Sequence, residues 1–143
     1  MSFSAGLALA ISAVLSQPSA AALAQQMPQA QSVQEYVANY FADEPIMIAI
    51  AGCESQFRQY DKDGSVLKNP GSSAVGLFQI MSSIHDPIAD KLGIDIYTLQ
   101  GNAAYARYVY EQKGTKPWNA SKACWSKAQA YKDMQATKTL AVK

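Results

Sequence analysis

Hydrophobic and polar positions change their spacing several times along the chain, and each change predicts an element. Ser32-Val33-Gln34-Glu35 has the form of a capping box, with Ser32 as N-cap and Glu35 three positions on. Val33, Tyr36, Val37 and Tyr40 then recur at helical spacing and predict a helix over 33–42. Asp43-Glu44-Pro45 opens a second helix, with acidic residues and a proline at its start. Ile46 to Ala51 is nearly all apolar, so this helix is expected to be buried all round, and it runs into Gly52-Cys53-Glu54-Ser55. Asp63-Gly64, between the β-compatible residues from Tyr60 to Leu67, predicts a small hairpin. Lys68 to Ala74 reads as a polar loop, and Gly76-Leu77-Phe78-Gln79-Ile80 as a buried run holding one amide. Asp86-Pro87 predicts a short helix to about Leu92. A longer helix is expected over 99–112, capped by Thr98 and stopped by Gly114, with Ala104, Tyr105, Tyr108 and Val109 as its apolar face. Pro117-Trp118 marks a break before a last helix over 120–134 that carries Cys124 and Trp125. The fold class is therefore α+β, mainly α, with one small β-hairpin, because no alternation of strands and helices calls for a parallel sheet.

Composition narrows the picture. A chain of 143 residues with 49% hydrophobic content suits one domain with a core, expected over 32–135, ahead of a fraying tail at 136–143. A net charge of +1 gives no basic field for nucleic acid. The first charged side chain is Glu35; from Phe3 to Leu15 the chain is apolar apart from serines, and Ala22-Leu23-Ala24 follows. This pattern reads as a signal peptide over 1–24, although no Lys or Arg precedes its apolar run, with a flexible lead-in over 25–31. Its removal would leave no membrane span and an extracytoplasmic protein.

Cys53 and Cys124 are the only cysteines, either a disulfide pair or two buried thiols. With a single histidine, no metal site is expected. Asp61-x-Asp63-Gly64 has the look of a calcium loop, but its twelfth position is Ser72 where the loop needs Glu, so a plain turn is the better reading. Glu54 stands where an apolar helix ends. There it is either a solvated terminal residue or a carboxyl that desolvation keeps protonated and able to donate a proton.

Cys53-Glu54-Ser55 at a helix end, a turn-rich stretch, Gly76-Leu77-Phe78-Gln79-Ile80 and an Asn102-led helix together resemble the soluble lytic transglycosylase (SLT) domain of the lysozyme-like superfamily. The resemblance extends from about Ile46 to Trp125. It implies a lysozyme-like fold with a β-hairpin beside a glycan cleft. It also implies peptidoglycan strands as partner, cut between N-acetylmuramic acid and N-acetylglucosamine by a monomeric protein of bacterial or phage origin. By position, Glu54 is the catalytic acid and Ser55 supports it. Gly76, Leu77, Phe78 and Gln79 line the cleft and bind sugar. The family's third motif has Asn, a small residue four on and Tyr seven on; Asn102 and Ala106 fit, but Val109 replaces the tyrosine. On a helix Tyr105 lies about 60° round from Asn102 and Tyr108 about 120°, so Tyr105 is favoured over Tyr108 as a cleft tyrosine able to hydrogen-bond Glu54, and a core place for both is an equal alternative. Cys53-Glu54-Ser55 together with Pro117-Trp118 and Cys124 is also similar to the resuscitation-promoting factors, which implies a Cys53–Cys124 disulfide.

Glycosidic cleavage passes through an oxocarbenium-like transition state and needs one protonated carboxyl at the leaving oxygen. A lytic transglycosylase needs no second carboxylate and no cofactor, because the muramyl 6-hydroxyl attacks its own anomeric carbon. A lysozyme-type hydrolase would need another acid, for which Asp61 and Asp63 are candidates. A non-catalytic glycan-binding module on the same fold is the further alternative. His85 lacks the Ser or Cys pattern of a triad. Trp118 and Trp125 read as core in preference to sugar platforms.

Overall fold

The structure, a computed structural model, describes residues 31–128. The signal segment expected over 1–24, nearly all of the lead-in, the end of the last helix and the 136–143 tail lie outside the described residues. Within them the protein is mainly helical, with one small two-stranded antiparallel sheet.

Helix α1, Val33–Tyr40, begins with the expected capping box: the Glu35 N–H donates to the Ser32 hydroxyl at 3.2 Å and the Ser32 N–H to the Glu35 carboxylate at 2.9 Å. It stops short of the expected residue 42, at Phe41, which together with Val37 enters the core. Helix α2, Pro45–Ser55, starts at its proline, whose missing N–H has no intrahelical partner to lose. Met47, Ala49, Ile50 and Ala51 are buried, while Ile46 and Ile48 are half-buried, so the helix is covered on most of its circumference. It ends in a sharp corner. Gln56 and Phe57 both take left-handed backbone angles, φ 56° and φ 60°. The Phe57 ring folds back on the helix, and a Cβ on Gly52 would stand 3.1 Å from it.

The chain next forms an irregular meander. Tyr60 bridges Val66 around a turn in which the Asp63 carboxylate accepts from the Ser65 N–H, so the hairpin expected at 60–67 is present as an isolated bridge. The regular strands lie later, a correction to the sequence reading. They are β1, Ala74–Val75, and β2, Ile80–Met81, with Ala74 opposite Met81 and Val75 opposite Ile80. Residues 76–79 make the turn between them, because Gly76 and Gln79 have φ of 70° and 50° and cannot continue an extended strand.

Helix α3, Ser82–Lys91, begins before the expected Asp86, anchored by the Ser82 N–H and hydroxyl, which both donate to the Ser73 carbonyl. Pro87 sits inside this helix and leaves the exposed Ser83 carbonyl without its usual donor. Helix α4, Leu99–Lys113, is capped by Thr98, whose hydroxyl accepts from the Gly101 N–H, and stops at Gly114. Its buried face is Asn102, Ala103, Tyr105, Ala106 and Val109; the expected Ala104 and Tyr108 are half-buried. A 3₁₀ segment, Lys116–Ser121, precedes α-helical residues 122–128, so the last helix starts slightly later than expected.

The core joins these elements through aromatic edges. Phe78 lies 5.3 Å from Phe41 and 6.2 Å from Trp118, centroid to centroid. Trp118 and Trp125 are both buried, as their core reading requires. Arg107 of α4 lies over the Tyr40 and Phe41 rings and makes a two-pronged pair with Asp43, which fastens the corner between α1 and α2. Cys53 and Cys124 form a disulfide across 71 positions, from the end of α2 to the 122–128 helix. Among the described residues no helix is long and apolar enough to cross a membrane.

Closing so long a loop restricts the unfolded chain, and in the chain-entropy model the bond contributes about 4 kcal/mol. The Cys53→Ala/Cys124→Ala double variant should therefore unfold at markedly lower guanidinium concentration. A midpoint equal to the wild type would show that the bond adds nothing to stability.

Candidate active site

Glu54 occupies the last turn of α2, just before the left-handed corner. The apolar helix and the segment facing it leave its carboxyl half-buried. Burial raises its pKa above the ordinary carboxylate value, and a hydrogen bond from Ser121 pulls the other way. Ser121 comes from the end of the 3₁₀ segment, and its hydroxyl donates to Glu54 Oε1. The disulfide lies alongside: Cys53 precedes Glu54, and Cys124 is three residues beyond Ser121.

The 76–79 turn is held by two buried amides. Gln59 is 1% exposed; its carbonyl accepts from the Leu77 N–H at 2.8 Å and its NH₂ donates to the Tyr97 carbonyl at 3.1 Å. Asn102 is 0% exposed; it accepts from the Phe78 N–H at 2.9 Å and donates to the carbonyls of Val75 and Ile96 at 3.1 and 2.8 Å. Gly76 packs so tightly between them that a Cβ there would stand 2.5 Å from the Gln59 carbonyl oxygen. The Phe78 carbonyl in turn accepts from the Trp118 indole at 3.0 Å.

This geometry sorts the residues expected to bind substrate. Ser55 is buried and serves the helix end: its hydroxyl donates to the Ala51 carbonyl and accepts from the Arg58 N–H. Gly76, Leu77, Phe78 and Asn102 are buried and form the frame of the turn. Gln79 and Tyr108 are half-buried. Tyr105 takes the core place, not the cleft place beside Glu54: it is fully buried, and its hydroxyl lies 2.9 Å from His85 Nδ1. Its helical face is the one Asn102 shares, but that face points into the core and toward α3. Burial, helped by the charge of Lys113, lowers the His85 pKa and favours a neutral imidazole.

Gln79, Met81, His85, Val109, Pro117 and Trp118 line a hollow; Glu54 is not among its lining residues. Its two polar side chains already have partners: the Gln79 amide donates to the Gly76 carbonyl, and His85 Nδ1 lies against the Tyr105 hydroxyl. Of the possible second acids, Asp63 is engaged by the Ser65 hydroxyl and N–H, which hold its pKa low, and Asp61 pairs with Arg58 at 3.8 Å. Among the described residues no group of three or more His, Cys, Asp or Glu is placed to hold a metal ion.

Sequence reasoning missed Gln59 and Ser121. Gln59 sits in a turn-rich stretch with no periodicity to mark it as buried. The position of Ser121, one turn before Cys124, was the available signal. No protein-family model, curated protein or solved structure matches the chain.

Two outcomes follow from this geometry. Gln59→Leu removes both partners of the Leu77 N–H and Tyr97 carbonyl and should destabilise by about 2–4 kcal/mol in urea unfolding; a loss below about 0.5 kcal/mol would mean that water replaces the amide. The second concerns pH. A carboxyl with a raised folded-state pKa costs stability as it ionises: nothing below the unfolded-state value, and the full amount above the folded-state value. Glu54→Gln removes that cost. The variant should melt above the wild type at about pH 8 and lose this advantage near about pH 3. A gain that does not change with pH would show that Glu54 is not desolvated.

Proposed function

We propose that the protein is a peptidoglycan lytic transglycosylase that cleaves the N-acetylmuramic acid to N-acetylglucosamine bond with Glu54 as its one catalytic carboxyl. A lysozyme-like arrangement of helices beside a glycan cleft belongs to the same proposal. The observation that carries it is Glu54 itself: half-buried at the end of an apolar helix, with its pKa raised by desolvation and a hydroxyl fixed on one oxygen. Such a carboxyl remains a proton donor nearer neutrality than an exposed one.

In the first step the Glu54 proton passes to the glycosidic oxygen as the bond from the muramyl anomeric carbon breaks, leaving an oxocarbenium-like centre. The carboxylate then takes the proton of the muramyl 6-hydroxyl while that oxygen bonds to the anomeric carbon. Glu54 ends protonated, no water is consumed, and the product is a 1,6-anhydro sugar. Asp63 is held by Ser65 within its own turn and Asp61 pairs with Arg58, which favours this one-carboxylate route over hydrolysis. The disulfide accords with work outside the cytoplasm, where such bonds persist.

Purified protein and its Glu54→Gln variant should be incubated with peptidoglycan and the products weighed by mass spectrometry. The expected products are muramyl sugars lighter by one water than the hydrolysed form, with the rate falling by at least about a hundredfold in the variant. Glu54-dependent reducing ends would make the protein a lysozyme-type hydrolase. Bound but uncut glycan would make it a binding module.

A further inference from the structure

Ser121 stands 67 positions from Glu54 in sequence, yet its hydroxyl meets the carboxyl directly. The same hydroxyl also lies 3.1 Å from the Trp118 carbonyl. A serine hydroxyl has one proton, so these two acceptors compete for it. The Trp118 carbonyl is already served, because the Trp125 indole N–H donates to it at 2.9 Å. The contact to Glu54 is the shorter of the two, and ionisation of the carboxyl strengthens it.

Three features fix Ser121 in place. Pro117 restricts the start of the 3₁₀ segment, the Trp118 indole is tied to the Phe78 carbonyl, and Cys124 is bonded to the residue preceding Glu54. The contact is also local. No charged side chain is among the causes of the Glu54 shift, whether from α1, from α2 itself or from the 3₁₀ segment with its Lys116 and neighbouring Lys122.

We propose that Ser121 is the positioning residue for Glu54: by donating to Oε1 it makes that oxygen a standing acceptor and assigns the transferable proton to Oε2. The proposal rests on the reading of Glu54 as the acid and base of the reaction. Before transfer, Oε1 is the carbonyl oxygen of the acid and Oε2 bears the proton. After transfer the Ser121 bond stabilises the new carboxylate, and Oε2 is the oxygen that takes a proton back. One hydroxyl therefore keeps the carboxyl in a single orientation through both halves of the cycle.

The test uses the full chain with its disulfide intact, as wild type, Ser121→Ala and Ser121→Thr. Two quantities are read: the titration of the Glu54 carboxyl by carbon-13 NMR, and kcat and KM on peptidoglycan across pH. In Ser121→Ala the Glu54 titration should move to higher pH, because the donor to its ionised form is gone. Its kcat should fall about tenfold with KM little changed, and the alkaline limb of the rate profile should move upward with the titration. Ser121→Thr, which keeps the hydroxyl, should restore both. A Glu54 titration in Ser121→Ala identical to wild type overturns the proposal whatever the activity. A moved titration with unchanged kcat overturns the role of Ser121 in the reaction. A moved titration in a protein that yields no anhydro product leaves the hold of Ser121 on Glu54 standing and removes the lytic reading instead.

Discussion

A stretch of buried backbone from Val75 to Phe78 must find hydrogen-bond partners that a sheet of two-residue strands supplies only in part. That constraint organises the molecule. Strands of two residues each cannot satisfy the turn between them, and a buried N–H or C=O left alone is costly. Gln59 and Asn102 supply what the sheet does not. Each amide both donates and accepts, and the two reach the turn from opposite sides in sequence, one from the meander and one from α4. The order they impose travels outward. Asn102 fixes Phe78, the Phe78 carbonyl fixes the Trp118 indole, and the Trp118 carbonyl receives Trp125 and stands beside Ser121, which holds Glu54. The carboxyl at the end of α2 is thus tied to the interior of α4 by a series of single hydrogen bonds.

The electrostatic character of the site follows from what surrounds it. The ion pairs Arg107–Asp43 and Arg58–Asp61 engage other residues, and the second is largely exposed. Desolvation raises the Glu54 pKa, and one neutral hydroxyl opposes that rise. Its acidity is set by packing and by a dipole, not by a neighbouring charge. Added salt screens the exposed pairs and has little to act on around Glu54.

The parts of the structure governed by local rules were legible in the sequence. The capping box at Ser32 and Glu35, the proline start of α2 and the Thr98 cap each depend on residues within one turn of each other. Burial of Leu77 and Phe78 was legible too, from their apolar run. What the run concealed was its shape. A buried turn and a buried strand have the same composition, and left-handed φ at Gln79 leaves no mark in the pattern. Ser82 begins α3 because Ser73 anchors it, a contact across the meander that the proline signal at Pro87 outweighed. Tyr105 was placed on the expected helical face, but its partner depended on where α3 lies, and that partner is His85, not Glu54. Gln59 and Ser121 act through residues far along the chain, so their roles required tertiary structure.

The corner at Gln56 and Phe57 has one more consequence. Two successive residues with side chains are held in the left-handed region, where each costs roughly 1–2 kcal/mol relative to ordinary backbone. Glycine would relieve that strain, but at Phe57 it would also remove the ring that packs against Gly52. At the exposed Gln56 no such contact is lost, so the two positions answer differently to the same substitution. Thermal selection would admit glycine at Gln56, two residues past the carboxyl, and would keep the ring at Phe57.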